Sequence, residues 1–113
     1  MAKNKAKRPK KLKPRKKGSK PQNVPEELKA MLSQALSNHQ SGLMDQAILV
    51  YRQVLAVQPD FADANHLLGI ALHHRGELEE AVGLIKKAIK SVPGRAAFHS
   101  NLGNALKDVG RID

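Results

Sequence analysis

The sequence contains no cysteine. That excludes a disulfide framework, a thiolate zinc site and a cysteine nucleophile. No run of apolar residues approaches the ~18 needed to cross a membrane. The first 25 residues contain no acid at all. What is there is a 113-residue chain of formal charge +10, long enough for one small domain. The charge is unevenly placed. Residues 1–25 hold 11 of the 20 basic residues, whereas residues 26–113 hold the other 9 and all 10 acids. The basic balance therefore belongs to a tail, and the remainder is nearly neutral. A basic globular domain for nucleic acid is excluded as the first reading.

Residues 1–25 are expected to be disordered. Pro9, Pro14, Pro21 and Pro25 break any helix, and Met1, Leu12 and Val24 are the only sizeable apolar side chains. That is too little burial to offset chain entropy. The basic start is followed by no apolar stretch, so it is not a secretory signal, and it is Lys-dominated without the amphipathic pattern of a transit peptide. With no membrane span either, the expected location is the cytoplasm. Lys7, Arg8, Lys10 and Lys11, with Arg15, Lys16 and Lys17, would attract a polyanion, either nucleic acid or an acidic surface. Such binding would fall steeply with salt. No aromatic lies among the lysines to stack on bases. The plainer alternative is a solvated extension with no dedicated partner.

The rest of the chain repeats. Gly42, Gly76 and Gly110 are separated by 34 residues each, as are Gly69 and Gly103, Ala47 and Ala81, and Pro59 and Pro93. Leu68-Gly69 recurs as Leu102-Gly103, and Leu72 as Leu106. Each period reads as two helices. Ala64, Leu67, Leu68, Ile70, Ala71 and Leu72 form a helical apolar stripe, which Gly76 ends as a left-handed residue. Glu77, Glu79 and Glu80 open a second helix and Lys86, Lys87 and Lys90 close it, both dipole-compatible. Pro93 stops it. Gly69 is expected to face Ala81, because antiparallel helices approach closely only where a side chain is nearly absent. Asp60 and Asp63 are expected to serve the start of the first helix.

These residues resemble the tetratricopeptide repeat, a 34-residue helix–turn–helix unit. The resemblance covers about residues 26–113. It implies an all-α solenoid of two and a half units: repeats at about 28–61 and 62–95, and a partial one at 96–113. The Leu-Gly of the pattern falls on Leu68-Gly69 and its first aromatic on Leu72. The small residue of the second helix falls on Ala81, its aromatic on Ile85, its second alanine on Ala88 and its proline on Pro93. In the preceding repeat the matching residues are Ala35, Gly42, Ala47, Tyr51, Val54 and Pro59. Gln34 and Asn38 replace apolar residues there, as in a terminal repeat with a polar outer face. Gly110-Arg111-Ile112-Asp113 looks like the turn and start of a third second helix. Leu102, Ala105, Leu106 and Val109 would then lack a partner. The expectation is a truncated piece of a longer array, or an open end that self-associates. The wording around His66–Gly69, Leu84–Ile89 and Asn101–Leu106 also looks like bacterial arrays preceding O-linked N-acetylglucosamine-transferase-like or sulfotransferase domains. That implies a parent protein and no activity here.

No chemistry competes with this. His39, His66, His73, His74 and His99 are accompanied by no metal-binding motif, and no serine, histidine and aspartate are spaced as a triad. No metal, cofactor or catalytic residue is expected. His39 and His73, 34 apart, are expected to stack between repeats. The resemblance implies a partner-binding groove along the first helices, on Asp63, His66, Ile70, His73, His74, Ser100 and Asn104. Asn101 stands where transferase-associated arrays bond a peptide backbone. The expected function is a non-catalytic module that docks a protein or peptide ligand.

Overall fold

The computed structural model describes residues 22–112. The basic residues Lys7, Arg8, Lys10, Lys11, Arg15, Lys16 and Lys17, and the disorder expected for them, lie outside the described residues. Five helices follow one another: α1 (Glu26–Gln40), α2 (Met44–Val57), α3 (Ala62–His74), α4 (Leu78–Ser91) and α5 (Ala96–Ile112). The architecture is all-α, as the sequence implies. The repeat is visible in the element bounds. The first residues of α2 and α4, and of α3 and α5, are separated by the same 34 positions as the glycines, and α2 and α4 are both 14 residues long.

Each helix buries the stripe that its periodicity writes. In α1 it is Leu28, Leu32 and Ala35; in α2, Ala47, Ile48, Tyr51 and Val54; in α4, Ala81, Ile85 and Ala88. These are i, i+4, i+7 patterns, one helical face each. In α3 burial runs almost round the helix, through Ala64, Asn65, His66, Leu68, Gly69, Ala71 and Leu72. It packs on α4 and also meets α2, so neighbours enclose it from more than one side. Burying each large apolar side chain contributes about 1.5–3 kcal/mol.

The two turns inside the repeats are alike. Gly42 and Gly76 adopt φ of +87° and +85°. The amide of Leu43 donates to the Asn38 carbonyl at 2.8 Å, and that of Glu77 to the Leu72 carbonyl at 2.9 Å. This is the six-to-one closure of a helix by a left-handed residue, which glycine adopts without steric penalty. Gly69 meets its expected partner. A Cβ added there would lie 2.7 Å from Ile85 Cγ1 and 3.2 Å from the Ala81 carbonyl oxygen.

Three expectations are corrected. Gly110 is not a turn: α5 continues through it to Ile112. Glycine permits a left-handed turn without requiring one, and each residue added to the helix gains one more helical hydrogen bond. The segment assigned to the tail begins to fold before residue 25. Val24 is buried in the core at 8% exposure. Gln22 Nε2 donates to the Asp60 carbonyl at 2.8 Å, and Gln22 Oε1 accepts from the Ala62 amide at 3.1 Å. That second bond corrects the third expectation. Phe61 is the N-cap of α3, without a side-chain cap of its own; Asp63 stands in the first turn as expected, while the side-chain bond to the first α3 amide comes from Gln22. Pro25, which is 34 before Pro59, precedes α1 as the matching residue of the repeat. Its carbonyl accepts from the amides of Leu28 and Lys29.

Candidate partner-binding face

The first helices of the three units, α1, α3 and α5, are joined side by side by polar contacts. His39 Nε2 lies 3.2 Å from His74 Nδ1, linking α1 to α3. Asn101 Nδ2 lies 2.8 Å from His66 Nε2, and His73 Nε2 lies 2.6 Å from Asp108 Oδ2, both linking α3 to α5. Each pair is separated by 35 residues. The offset is one more than the repeat for a geometric reason. Side chains at the same repeat position are related by translation and point the same way, so contact across the seam requires different positions. His39 therefore meets His74, with ring centroids 5.3 Å apart, and not His73 as the 34-residue spacing suggested.

Burial sets the charge of these rings. His66 is 8% exposed and lies against Phe98, ring centroids 4.5 Å apart. Desolvation pushes its pKa below the ordinary 6.5, with Arg95 acting in the same direction and Asp63 opposing. The neutral ring accepts from Asn101 through Nε2, which places its proton on Nδ1. His39 is likewise lowered, by burial first and then by the His74 charge. His73 donates to Asp108, and this hydrogen bond is the main reason the Asp108 carboxyl sits below its usual range.

Several residues expected to line the groove are thus engaged within the protein. His66, His73 and Asn101 stitch helices together. Asp63 accepts from Arg95, whose guanidinium also lies 5.2 Å above the Phe98 ring. His74 is exposed at the surface while holding His39. Ser100 and Asn104 are exposed on α5, and Ile70 is half-buried on α3. Those last three, with the outer edge of His74, are the expected groove residues that stay accessible. Among the described residues no group of three or more His, Cys, Asp or Glu is placed to hold a metal ion. Among them, too, no helix is long and apolar enough to cross a membrane.

Sequence reading missed several positioning residues. Asn65 Nδ2 donates to the Pro59 carbonyl at 3.0 Å, and His99 Nε2 to the Pro93 carbonyl at 2.8 Å. These contacts are equivalent under the repeat and fix how each helix pair joins the next. The equal spacing of Asn65 and His99 was the available signal, masked because the residue types differ. A cleft of about 660 Å³ lined by Asp60, Gly83, Lys86, Lys87, Lys90 and Ser91 includes none of the expected groove residues.

A family model for the tetratricopeptide repeat matches residues 32–96. No match was found among the curated proteins.

Proposed function

Because the chain belongs to the tetratricopeptide repeat family, we propose that it is a non-catalytic scaffold whose α1–α3–α5 face docks an extended peptide or a partner helix. The observation that carries this reading is the lateral stitching of the three helices. Three polar contacts at 2.6–3.2 Å, one between α1 and α3 and two between α3 and α5, hold them in fixed register, so their outward positions form one rigid surface. Rigidity matters because ordering a surface on binding subtracts from affinity. His74, Ile70, Ser100 and Asn104 supply one apolar contact among polar groups able to meet a peptide backbone. Such a composition suits moderate affinity with register specified by hydrogen bonds.

The test is a peptide-display library panned on the full chain. Enriched peptides should lose at least about 10-fold in affinity on Ile70→Glu or Asn104→Arg, since each removes or obstructs one central contact. Circular dichroism should show unchanged helicity in both variants. Binding indifferent to both changes, or dependent only on residues 1–21, overturns the reading.

A further inference from the structure

The charges of the repeat region are unevenly satisfied. Of the nine basic residues in 26–113, Lys29 and all four arginines are in ion pairs. The other four, Lys86, Lys87, Lys90 and Lys107, are exposed, and among the described residues no acid is paired with them. Three of these four line one cleft of about 660 Å³, together with a single carboxylate, Asp60. The helix dipole does not account for the cluster. A helix C-terminus stabilises a cation only within about the last turn, and of the three only Lys90 lies there.

Gly83 lines the same cleft. It sits inside α4, where glycine is less favourable than alanine. Unlike Gly69, it is not required by packing, because a Cβ there would meet nothing within 4 Å. Nor does its backbone require glycine, since its φ is not positive. What the missing side chain leaves is room in the wall of the cleft, where the backbone of another chain can approach closely. A second cleft, of about 310 Å³, adjoins the first and shares Lys87 with it. Its walls are apolar, from Leu55 and Ala56 of α2, Leu68 of α3 and Leu84 of α4. Its other cation, Arg52, is already held by Glu80 at 2.9 Å. The combined groove is therefore an apolar recess that leads through Lys87 into unpaired positive charge.

We propose that this α2–α4 groove docks an extended acidic peptide. One apolar side chain enters the recess at Leu55 and Leu84, and the neighbouring carboxylates lie along Lys87, Lys86 and Lys90, with the peptide backbone passing over Gly83. Lysines one helical turn apart are separated by about 5 Å along the axis. Side chains on one face of an extended chain recur at about 7 Å, a mismatch that long ammonium side chains absorb. The recess supplies a register that a uniformly charged polymer lacks. None of these residues belongs to the accessible α1–α3–α5 positions, so the two readings fail separately.

The probe is a labelled, end-capped peptide in which one leucine borders a short run of glutamates. It is made in both chain directions and titrated into the full chain at low salt, followed by fluorescence anisotropy. Saturable binding is expected for at least one direction, and its absence for both overturns the proposal. Lys87→Glu should weaken binding at least about 10-fold, whereas Lys107→Glu, the same charge change outside the groove, should alter it less than about 2-fold. Exchanging the peptide's leucine for serine should cost about 10-fold, the scale of burying one such side chain. Gly83→Leu, at an open helical position, should keep the helicity and weaken binding. The amides of Ala56, Gly83 and Ser91 should shift in heteronuclear NMR spectra during the titration. Equal losses from Lys87→Glu and Lys107→Glu overturn the proposal, because the attraction is then general. Unmoved groove amides also overturn it, since the peptide then sits on the basic residues 1–21. So does indifference to the peptide's leucine, or a loss on Ile70→Glu, which would place the peptide on the other face. Phosphatidylserine vesicles that bind through Lys87 when the peptide does not would overturn it in favour of a membrane surface.

Discussion

Helices α3 and α5 carry the same ridge, Leu-Gly-x-x-Leu, at positions 34 apart, and they live in opposite environments. In α3 the ridge is interior: Leu68 and Leu72 are sealed and Gly69 touches Ile85. In α5 Phe98 and Ala105 are buried, while Leu106 stands half in water. The residues are alike and the neighbours are not. The contribution of a leucine or a glycine in a repeat is therefore a property of the seam it enters, not of the motif that contains it.

The largest test of this difference is a pair of truncations. Leu72→Ala should cost about 2–5 kcal/mol, the range for a fully buried leucine, whereas Leu106→Ala should cost about 0.5 kcal/mol or less, as surface changes do. Urea denaturation followed by circular dichroism measures both, and equal losses would erase the comparison. Next is the glycine pair. Gly69→Ala drives a methyl into Ile85 and the Ala81 carbonyl and should destabilise by about 1–3 kcal/mol, as overpacking does. Gly103→Ala meets open space and should stabilise by about 0.5–1 kcal/mol through helix propensity alone. Opposite signs from one substitution at equivalent positions would be hard to obtain any other way.

A third change probes the interior without altering shape. The Tyr51 hydroxyl is buried with no hydrogen-bond partner among the described residues, and burial pushes its pKa up to about 12. Tyr51→Phe removes an unsatisfied polar group and should be neutral or stabilising by up to about 1 kcal/mol. Thermal melts decide it. A clear loss of stability would mean the hydroxyl has a partner that matters.

The smallest effect is expected from pH. The folded His39 and His66 have pKa values below the ordinary 6.5 because they are buried. The unfolded chain therefore takes up protons first as pH falls. Their contribution is complete above pH 6.5 and is lost as pH drops through 6.5 toward the lowered folded values. Asp108, held down chiefly by its hydrogen bond from His73, contributes above pH 3.8 and loses that contribution only below it. Tm recorded between pH 8 and 5 should decline through the histidine range. His66→Gln, which retains an acceptor toward Asn101, should flatten that decline.

Much of the fold was legible. The 34-residue glycine spacing located both left-handed turns, and the apolar periodicity located the buried stripe of α3 and, one repeat pattern along, Ala81, Ile85 and Ala88 of α4, because helix periodicity and glycine conformation are local. The start of the fold is hard to see in the sequence because Pro25 is both a breaker at the end of a basic tail and the proline 34 before Pro59. Gln22 was illegible for a different reason: it bonds the Asp60 carbonyl and the Ala62 amide. Backbone groups carry no sequence signature. Of the candidate face, residue positions were legible but their engagements were not. Asn101 turns to His66 and His73 to Asp108 only because α3 and α5 lie alongside one another.

The amino-acid order by itself determined helices, turns and period, since each depends on residues within one or two helical turns. It also separated a basic segment from a near-neutral repeat region. The tertiary structure decided which equivalent residues are sealed and which are open, and which polar side chains stitch the helices instead of facing a ligand. Those outcomes depend on what lies across a seam, and two positions with the same local pattern can face different neighbours there.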